Sequence, residues 1–182
     1  MQPISIHQYQ RQPVSRFLAV RFCGLQDLDA LLSLQKIIEE HLPDSAIFVS
    51  TTPEEWSEYL QIPCVVGIWD DETLAAYGLF LLCGLSEENY AWHLGFPQET
   101  IPLWANMDTI VVHPDYRGNG LETALLYRME ALCPPEIQGF CCTISPNNPH
   151  SLESARRAGY APVQRASMYG GYDRWILKKE RT

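Results

Sequence analysis

A surplus of positive charge is what this chain most clearly lacks. Its 182 residues carry 13 Lys+Arg against 22 Asp+Glu, a formal net charge of −9. Proteins that grip a phosphate backbone normally present a basic face, so nucleic acid is not the expected partner. An acidic surface favours a cationic ligand such as an amine, although net charge steers ligands rather than naming them. Long apolar runs are missing too. None reaches the ~18 residues of a membrane span, so no membrane partner is expected, and the polar stretch Met1 to Arg16 has no apolar core of a secretory signal. The six cysteines (Cys23, Cys64, Cys83, Cys133, Cys141, Cys142) form no C-x-x-C pair, and no histidine lies beside them at zinc spacing. Most sit in apolar runs, where a free cysteine acts as a small hydrophobe. No metal is expected, and the expected location is a reducing cytoplasm.

What is present is enough apolar residue, 46% of the chain, for one domain spanning 1–182 with its own core. Residues 1–15, with two prolines and four glutamines, predict a loosely held leader or a strap over the surface. Phe17 to Phe22 alternates as a first strand. Asp27 to Glu40 spaces Leu28, Leu31, Leu34 and Ile38 as a helix, and Thr52-Pro53-Glu54-Glu55 opens a second short one. Strands are predicted at Cys64 to Trp69 and Leu74 to Cys83, joined by a polar turn at Asp70-Asp71-Glu72. Residues 84–104 show no clean period and predict an irregular or partly helical insertion over the sheet, a candidate substrate-facing loop. Ala105 to Val112 predicts a strand, Gly120 to Cys133 a helix, and Gly139 to Ile144 a strand. Ser151 to Ala158 predicts a helix, and the strands Val163 to Tyr169 and Tyr172 to Lys178 follow. A strand before each of the two later helices, with antiparallel pairs at each end, predicts an α/β (α+β) domain built on a mixed sheet flanked by helices.

One segment carries chemistry. Ile110-Val111-Val112-His113-Pro114-Asp115-Tyr116-Arg117-Gly118-Asn119-Gly120-Leu121 runs from a strand through a two-glycine turn straight into a helix. Glycines let the backbone approach a ligand closely, and free N–H groups at a helix start suit an anion such as pyrophosphate. Arg117 can add a charge-assisted contact. A Walker A loop would need Gly-Lys-Ser/Thr. A dinucleotide loop would need a third glycine where Thr123 stands. A glycine-rich turn that binds nothing remains equally open on these residues alone.

The stretch Val112-His113-Pro114-x-Tyr116-Arg117-Gly118-Asn119-Gly120 resembles motif A of the GNAT superfamily, the general-control-related N-acetyltransferases. Arg117 and Gly120 match the family pattern Gln/Arg-x-x-Gly-x-Gly/Ala, while Glu122 stands at its last small position and puts a carboxylate where phosphates are expected. Asn148-Pro149-His150-Ser151, followed by Gly159-Tyr160, resembles the second motif, in the family's order and separation. The resemblance covers about residues 104 to 178. It implies a mostly antiparallel sheet with one splayed parallel pair, and acetyl-coenzyme A as co-substrate with no metal. It implies contacts to that co-substrate from Ile110, Val111, Val112, Arg117, Gly118, Asn119, Gly120, Leu121, Glu122, Thr123, Asn148 and Ser151. The implied reaction is direct attack by a primary amine of a small molecule or peptide; a non-catalytic acyl-coenzyme A sensor is the alternative.

For acid and base work the resemblance points to the strand before the loop. Alternation places Asn106, Asp108 and Ile110 on one face, with Asp108 as the candidate base and Asn106 beside it. Many relatives carry a tyrosine seven residues after the second-motif asparagine, as acid for the leaving thiolate; that position is Ala155 here. Tyr127, Tyr160 and Tyr169 are the alternatives, and Tyr169 is the candidate taken as catalytic. Trp92, His93, Trp104, Tyr169 and Tyr172 are candidate walls of an acceptor pocket. The Tyr169-Gly170-Gly171-Tyr172 hairpin could instead meet a second subunit in a homodimer.

Overall fold

Apolar side chains on both faces of Val65–Asp70 and Thr73–Leu81 force these two strands to the centre of the molecule, where every residue from Leu74 to Phe80 is buried. The computed structural model describes residues 1–182. In chain order the elements are β1 (Ile4–Tyr9), β2 (Gln12–Phe22), α1 (Leu28–His41), α2 (Pro53–Tyr59), β3 (Val65–Asp70), β4 (Thr73–Leu81), β5 (Trp104–Val112), α3 (Leu121–Leu132), β6 (Gly139–Ile144), α4 (Pro149–Arg157), β7 (Ala161–Met168) and β8 (Tyr172–Glu180). The strands form one sheet in the order β1-β2-β3-β4-β5-β6-β8-β7, and β5 with β6 is its one parallel pair.

The helices start where capping chemistry dictates. Thr52 accepts the Glu55 N–H through its hydroxyl at 3.2 Å, and the Glu55 carboxylate returns to the Thr52 N–H at 2.7 Å, so α2 begins at Pro53. Buried Gln35 of α1 then pins the loop between the two helices. Its Oε1 accepts from the Thr51 N–H, Trp56 Nε1 and the Tyr77 hydroxyl, and its Nε2 donates to the Thr51 carbonyl. On the opposite face, Leu125 and Met129 of α3 pack on β4, Met129 filling the space over Gly78. Burying side chains of that size contributes roughly 1.5–3 kcal/mol each.

The first fifteen residues depart from the expected leader. β1 and β2 form an antiparallel edge hairpin, turning through Gln10 and Arg11, both at positive φ. β1 and the start of β2 escape a period-based reading because they lie at the sheet edge, with few of their residues buried, whereas Phe17 to Phe22 is the strand expected. The insertion of residues 84–104 folds as two 3-10 turns, Tyr90–Leu94 and Gln98–Leu103, over a separate apolar cluster of Tyr90, Ala91, Ile101 and Trp104 with Cys141 of β6. Asn89, fully buried, ties it together by donating to the carbonyls of Gly84, Ile101 and Trp104.

Candidate active site

β5 and β6 stay paired for only three positions, Trp104 with Gly139, Ala105 with Phe140 and Asn106 with Cys141. Beyond them β6 continues against β8 and β5 continues against β4, so the two strands part. The parting coincides with a bulge. Leu79 pairs with Thr109 and Phe80 with Met107, which leaves Asp108 as an extra residue that bends β5. The bulge also overturns the simple alternation. Asn106 lies on the face of Leu81, whereas Ile110 lies on the opposite face with Gly78. Since the His113 N–H donates to the Ala75 carbonyl, alternation along the ladder turns the backbone groups of Ile110 and Val112 towards the gap. The gap opens into a cleft of about 1080 Å³ that reaches from the residue 117–123 loop to the loop between α1 and α2.

At the loop end of this cleft, Gly118 and Gly120 have φ of +83° and +70°, a region that other residues enter only with strain. Gly120 is the N-cap of α3, whose first helical hydrogen bond runs from the Ala124 N–H to the Gly120 carbonyl at 3.0 Å. The amides of Leu121, Glu122 and Thr123 therefore have no partner within the helix. Arg117, Gly118, Gly120, Leu121, Glu122 and Thr123 all line the cleft. Asn119 does not line it. Its side chain accepts from the N–H groups of His7 and Gln8 and donates to the carbonyls of Gln8 and Tyr116, fastening the loop to β1. Asn148 caps α4, accepting the Ser151 N–H at 3.1 Å while its amide donates to the Ser151 hydroxyl at 3.0 Å.

Where the strands part, four side chains form a hydrogen-bonded chain across the gap. The Tyr90 hydroxyl donates to the Asp108 carboxylate and lies 2.7 Å from the Tyr169 hydroxyl, which in turn lies 2.8 Å from the Thr143 hydroxyl of β6. Thr109 donates to the other Asp108 oxygen at 3.0 Å. Burial raises the Asp108 carboxyl above the usual carboxylate range, against the lowering effect of the Tyr90 and Thr109 bonds; the charges of Glu88 and Glu55 add to the rise. Burial likewise pushes Tyr90 and Tyr169 above the ordinary phenol value, so both stay protonated at neutral pH. Tyr169 reaches the chain from the β7–β8 turn with φ of +52°, a conformation uncommon for a tyrosine.

The sequence matches the family model described as acetyltransferase (GNAT) family over residues 31–160. The chain belongs to the GNAT acetyltransferase family. The GNAT domain of S. lividans PAT superimposes with a TM-score of 0.67 at 16% identity, covering 98% of this chain and 97% of that one. Arabidopsis thaliana NAA60, solved in complex with acetyl-CoA, gives 0.67 at 15% identity over 90% of this chain and 98% of its own. The yncA protein of Salmonella typhimurium, solved with its cofactor acetyl-CoA, gives 0.61 at 15% identity over 90% and 93%. No curated protein sequence matches the chain.

Within this GNAT fold the side chain of Asn106 is engaged by the insertion: its Oδ1 accepts the Tyr90 N–H at 3.1 Å and its Nδ2 donates to the Glu88 carbonyl at 2.9 Å. Tyr90, which sequence reasoning missed, is thereby held so that its hydroxyl meets Asp108. Of the three tyrosines weighed for Ala155, Tyr160 is buried with its hydroxyl on Glu130, and Tyr127 is exposed against the Arg157 carbonyl. Tyr169 alone joins Asp108. The expected aromatic wall also shrinks, because Trp92, His93, Trp104 and Tyr172 do not line the cleft, and Trp104 stacks on Phe96 with ring centroids 4.8 Å apart. His113 shapes the loop by accepting the Asp115 N–H at 3.2 Å. No helix is long and apolar enough to cross a membrane.

Proposed function

We propose that this GNAT protein transfers the acetyl group of acetyl-coenzyme A to a primary amine by direct attack. The observation that carries the reading is the Asp108–Tyr90–Tyr169–Thr143 chain lying across the opening between β5 and β6. The co-substrate's phosphates suit the unpaired amides of Leu121, Glu122 and Thr123 together with Arg117, and the backbone of Gly118 and Gly120 can approach them closely. The pantetheine arm suits the exposed backbone of Ile110 and Val112, with Val111 between them, as an added strand. Asn148 and Ser151 line the other wall. Two structural neighbours were solved with acetyl-CoA, which supports this assignment.

In the proposed reaction the amine nitrogen bonds to the acetyl carbon while the carbon–sulfur bond breaks. The amine gives a proton to Asp108, and the departing thiolate takes one from Tyr169. Tyr90 lies between Asp108 and Tyr169, so once its hydroxyl turns from the carboxylate to Tyr169, the proton received at Asp108 can pass through Tyr90 to replace the one Tyr169 gave to sulfur. Tyr169 thus fills, from the β7–β8 turn, the place that Ala155 leaves empty on α4. No covalent enzyme intermediate is involved. Burial pushes the thiols of Cys23, Cys83 and Cys141 up to about 12 and those of Cys64 and Cys133 to about 11, and it raises Cys142 as well, so none is a ready thiolate nucleophile.

Calorimetry with coenzyme A, followed by thiol release from acetyl-coenzyme A over a panel of amines, tests this reading. Binding plus amine-dependent thiol release supports it. Absence of binding refutes it, and binding without turnover of any amine favours a sensor of acyl-coenzyme A.

A further inference from the structure

Arg174 of β8 lines the cleft yet is only 3% exposed, and none of the chain's salt bridges includes it. One of its five N–H donors is used, from Nη1 to the Asp173 carbonyl at 3.0 Å. The guanidinium lies between two aromatic rings, with its carbon 5.4 Å from the ring centroids of both Tyr169 and Tyr172. Burial disfavours its charge. Among carboxylates only Asp44 offsets this by its field, and Asp44 is already engaged with the Ala46 N–H and the Asn147 amide. A buried charge without a counter-ion is costly, and with one N–H donor spent within the chain the guanidinium is free to take an anion.

Its position says what the anion belongs to. Ile176 pairs with Thr143, so Arg174, two residues earlier on β8, shares the sheet face of Thr143 and stands beside Tyr169 in the proton-handling chain. The unpaired amides suited to phosphate lie elsewhere, at the start of α3. We propose that Arg174 is the carboxylate subsite of the acceptor, and that the acceptor is a free amino acid whose amine faces Asp108 while its carboxylate is held by the guanidinium. A planar guanidinium binds a carboxylate through two parallel N–H···O bonds, which lysine cannot reproduce. This inference rests on the acetyl-transfer reading and names its substrate class.

The test compares thiol release with L-amino acids, with their C-terminal amides and with spermidine, at saturating acetyl-coenzyme A, for the wild type, Arg174→Gln and Arg174→Lys. The inference expects kcat/KM at least about 10-fold higher for acids than for their amides in the wild type. It expects Arg174→Gln to raise KM for acids at least about 10-fold with kcat little changed, bringing the acid-to-amide ratio near one, and Arg174→Lys to fall between; a lost two-bond contact to a charged group is of this size. Coenzyme A affinity, measured by calorimetry on the same proteins, is expected to stay constant. Equal or better use of amides or spermidine by the wild type overturns the inference and leaves acetyl transfer standing. Weakened coenzyme A binding in Arg174→Gln also overturns it, because the anion is then the co-substrate's phosphate. If Arg174→Gln fails to fold, the wild-type ratio and Arg174→Lys still decide. If coenzyme A binds but no amine is acetylated, binding of N-acetyl amino acids to the coenzyme A-loaded protein decides. Binding that weakens in Arg174→Lys sustains the subsite, and no binding removes it.

Discussion

The two ends of the cleft are built in opposite ways. The loop end is one continuous stretch, β5 into the glycine turn into α3, and what it offers is backbone: unpaired amides and two glycines at positive φ. The proposed acceptor end draws Asp108 from β5, Tyr90 from a 3-10 turn, Thr143 from β6, Tyr169 from the β7–β8 turn and Arg174 from β8, and what it offers is side chains. A backbone site tolerates many sequences provided the chain keeps its conformation. A side-chain site changes with each residue and with the topology that gathers it. One GNAT fold can therefore keep a common co-substrate end and vary the acceptor end.

That contrast is open to direct attack. The largest effect is expected from Asp108→Asn, which removes the proposed base and should lower kcat by about 10²–10⁴-fold in a thiol-release assay. Tyr169→Phe comes next. It removes the hydroxyl nearest Thr143 without disturbing the loop, and kcat should fall by about 10²-fold, the lower end for one acid–base group. At the other end, Gly120→Val forces a β-branched residue to φ of +70°, costing roughly 1–3 kcal/mol of stability. Chemical denaturation should show that loss, and calorimetry should show weakened coenzyme A binding. An unchanged affinity would mean the loop is not the anion site.

The smallest effect concerns pH. The Asp108 carboxyl lies above the usual range, so the acid limb of kcat/KM should fall at a pH higher than that of an ordinary carboxylate, about 3.9. The Tyr90 bond favours the charged form. Tyr90→Phe therefore raises the Asp108 value further and should move the limb to still higher pH. The same shift has a stability sign. A carboxyl whose folded value is raised contributes stability that is present at low pH and lost as pH rises through the folded value. Thermal melts of Asp108→Asn should accordingly gain on the wild type as pH increases through that window.

The legibility of the sequence divides along the same line. The β5–loop–α3 segment reads directly from Arg117, Gly118 and Gly120, because glycine placement and a strand-to-helix switch are local signals. Asn148 with Gly159-Tyr160 was legible for the same reason; Asn148 caps α4 and Gly159, at φ of +95°, ends it. The bulge at Asp108 has no local signature, so alternation put Asn106 and Ile110 on one face when they lie on two. Tyr90 was hidden in an insertion whose 3-10 turns carry no 3.6-residue period. Arg174 stands among other charges in the final strand, and only the packing of Tyr169 and Tyr172 around it shows that it is buried. The second half of β2 reads as a strand from Phe17 to Phe22, but β1 and the start of β2 do not, because a solvent-exposed edge carries polar residues on both faces.

The central claim is that the co-substrate is held at one end and the chemistry is done at the other. Parallel calorimetric titrations of coenzyme A into the wild type and Asp108→Asn test it most directly. The account predicts the same dissociation constant for both proteins, although the variant no longer supports amine-dependent thiol release. A dissociation constant that rises in Asp108→Asn by 10-fold or more, a loss of about 1.4 kcal/mol, would contradict it by placing Asp108 in the binding site rather than in the reaction.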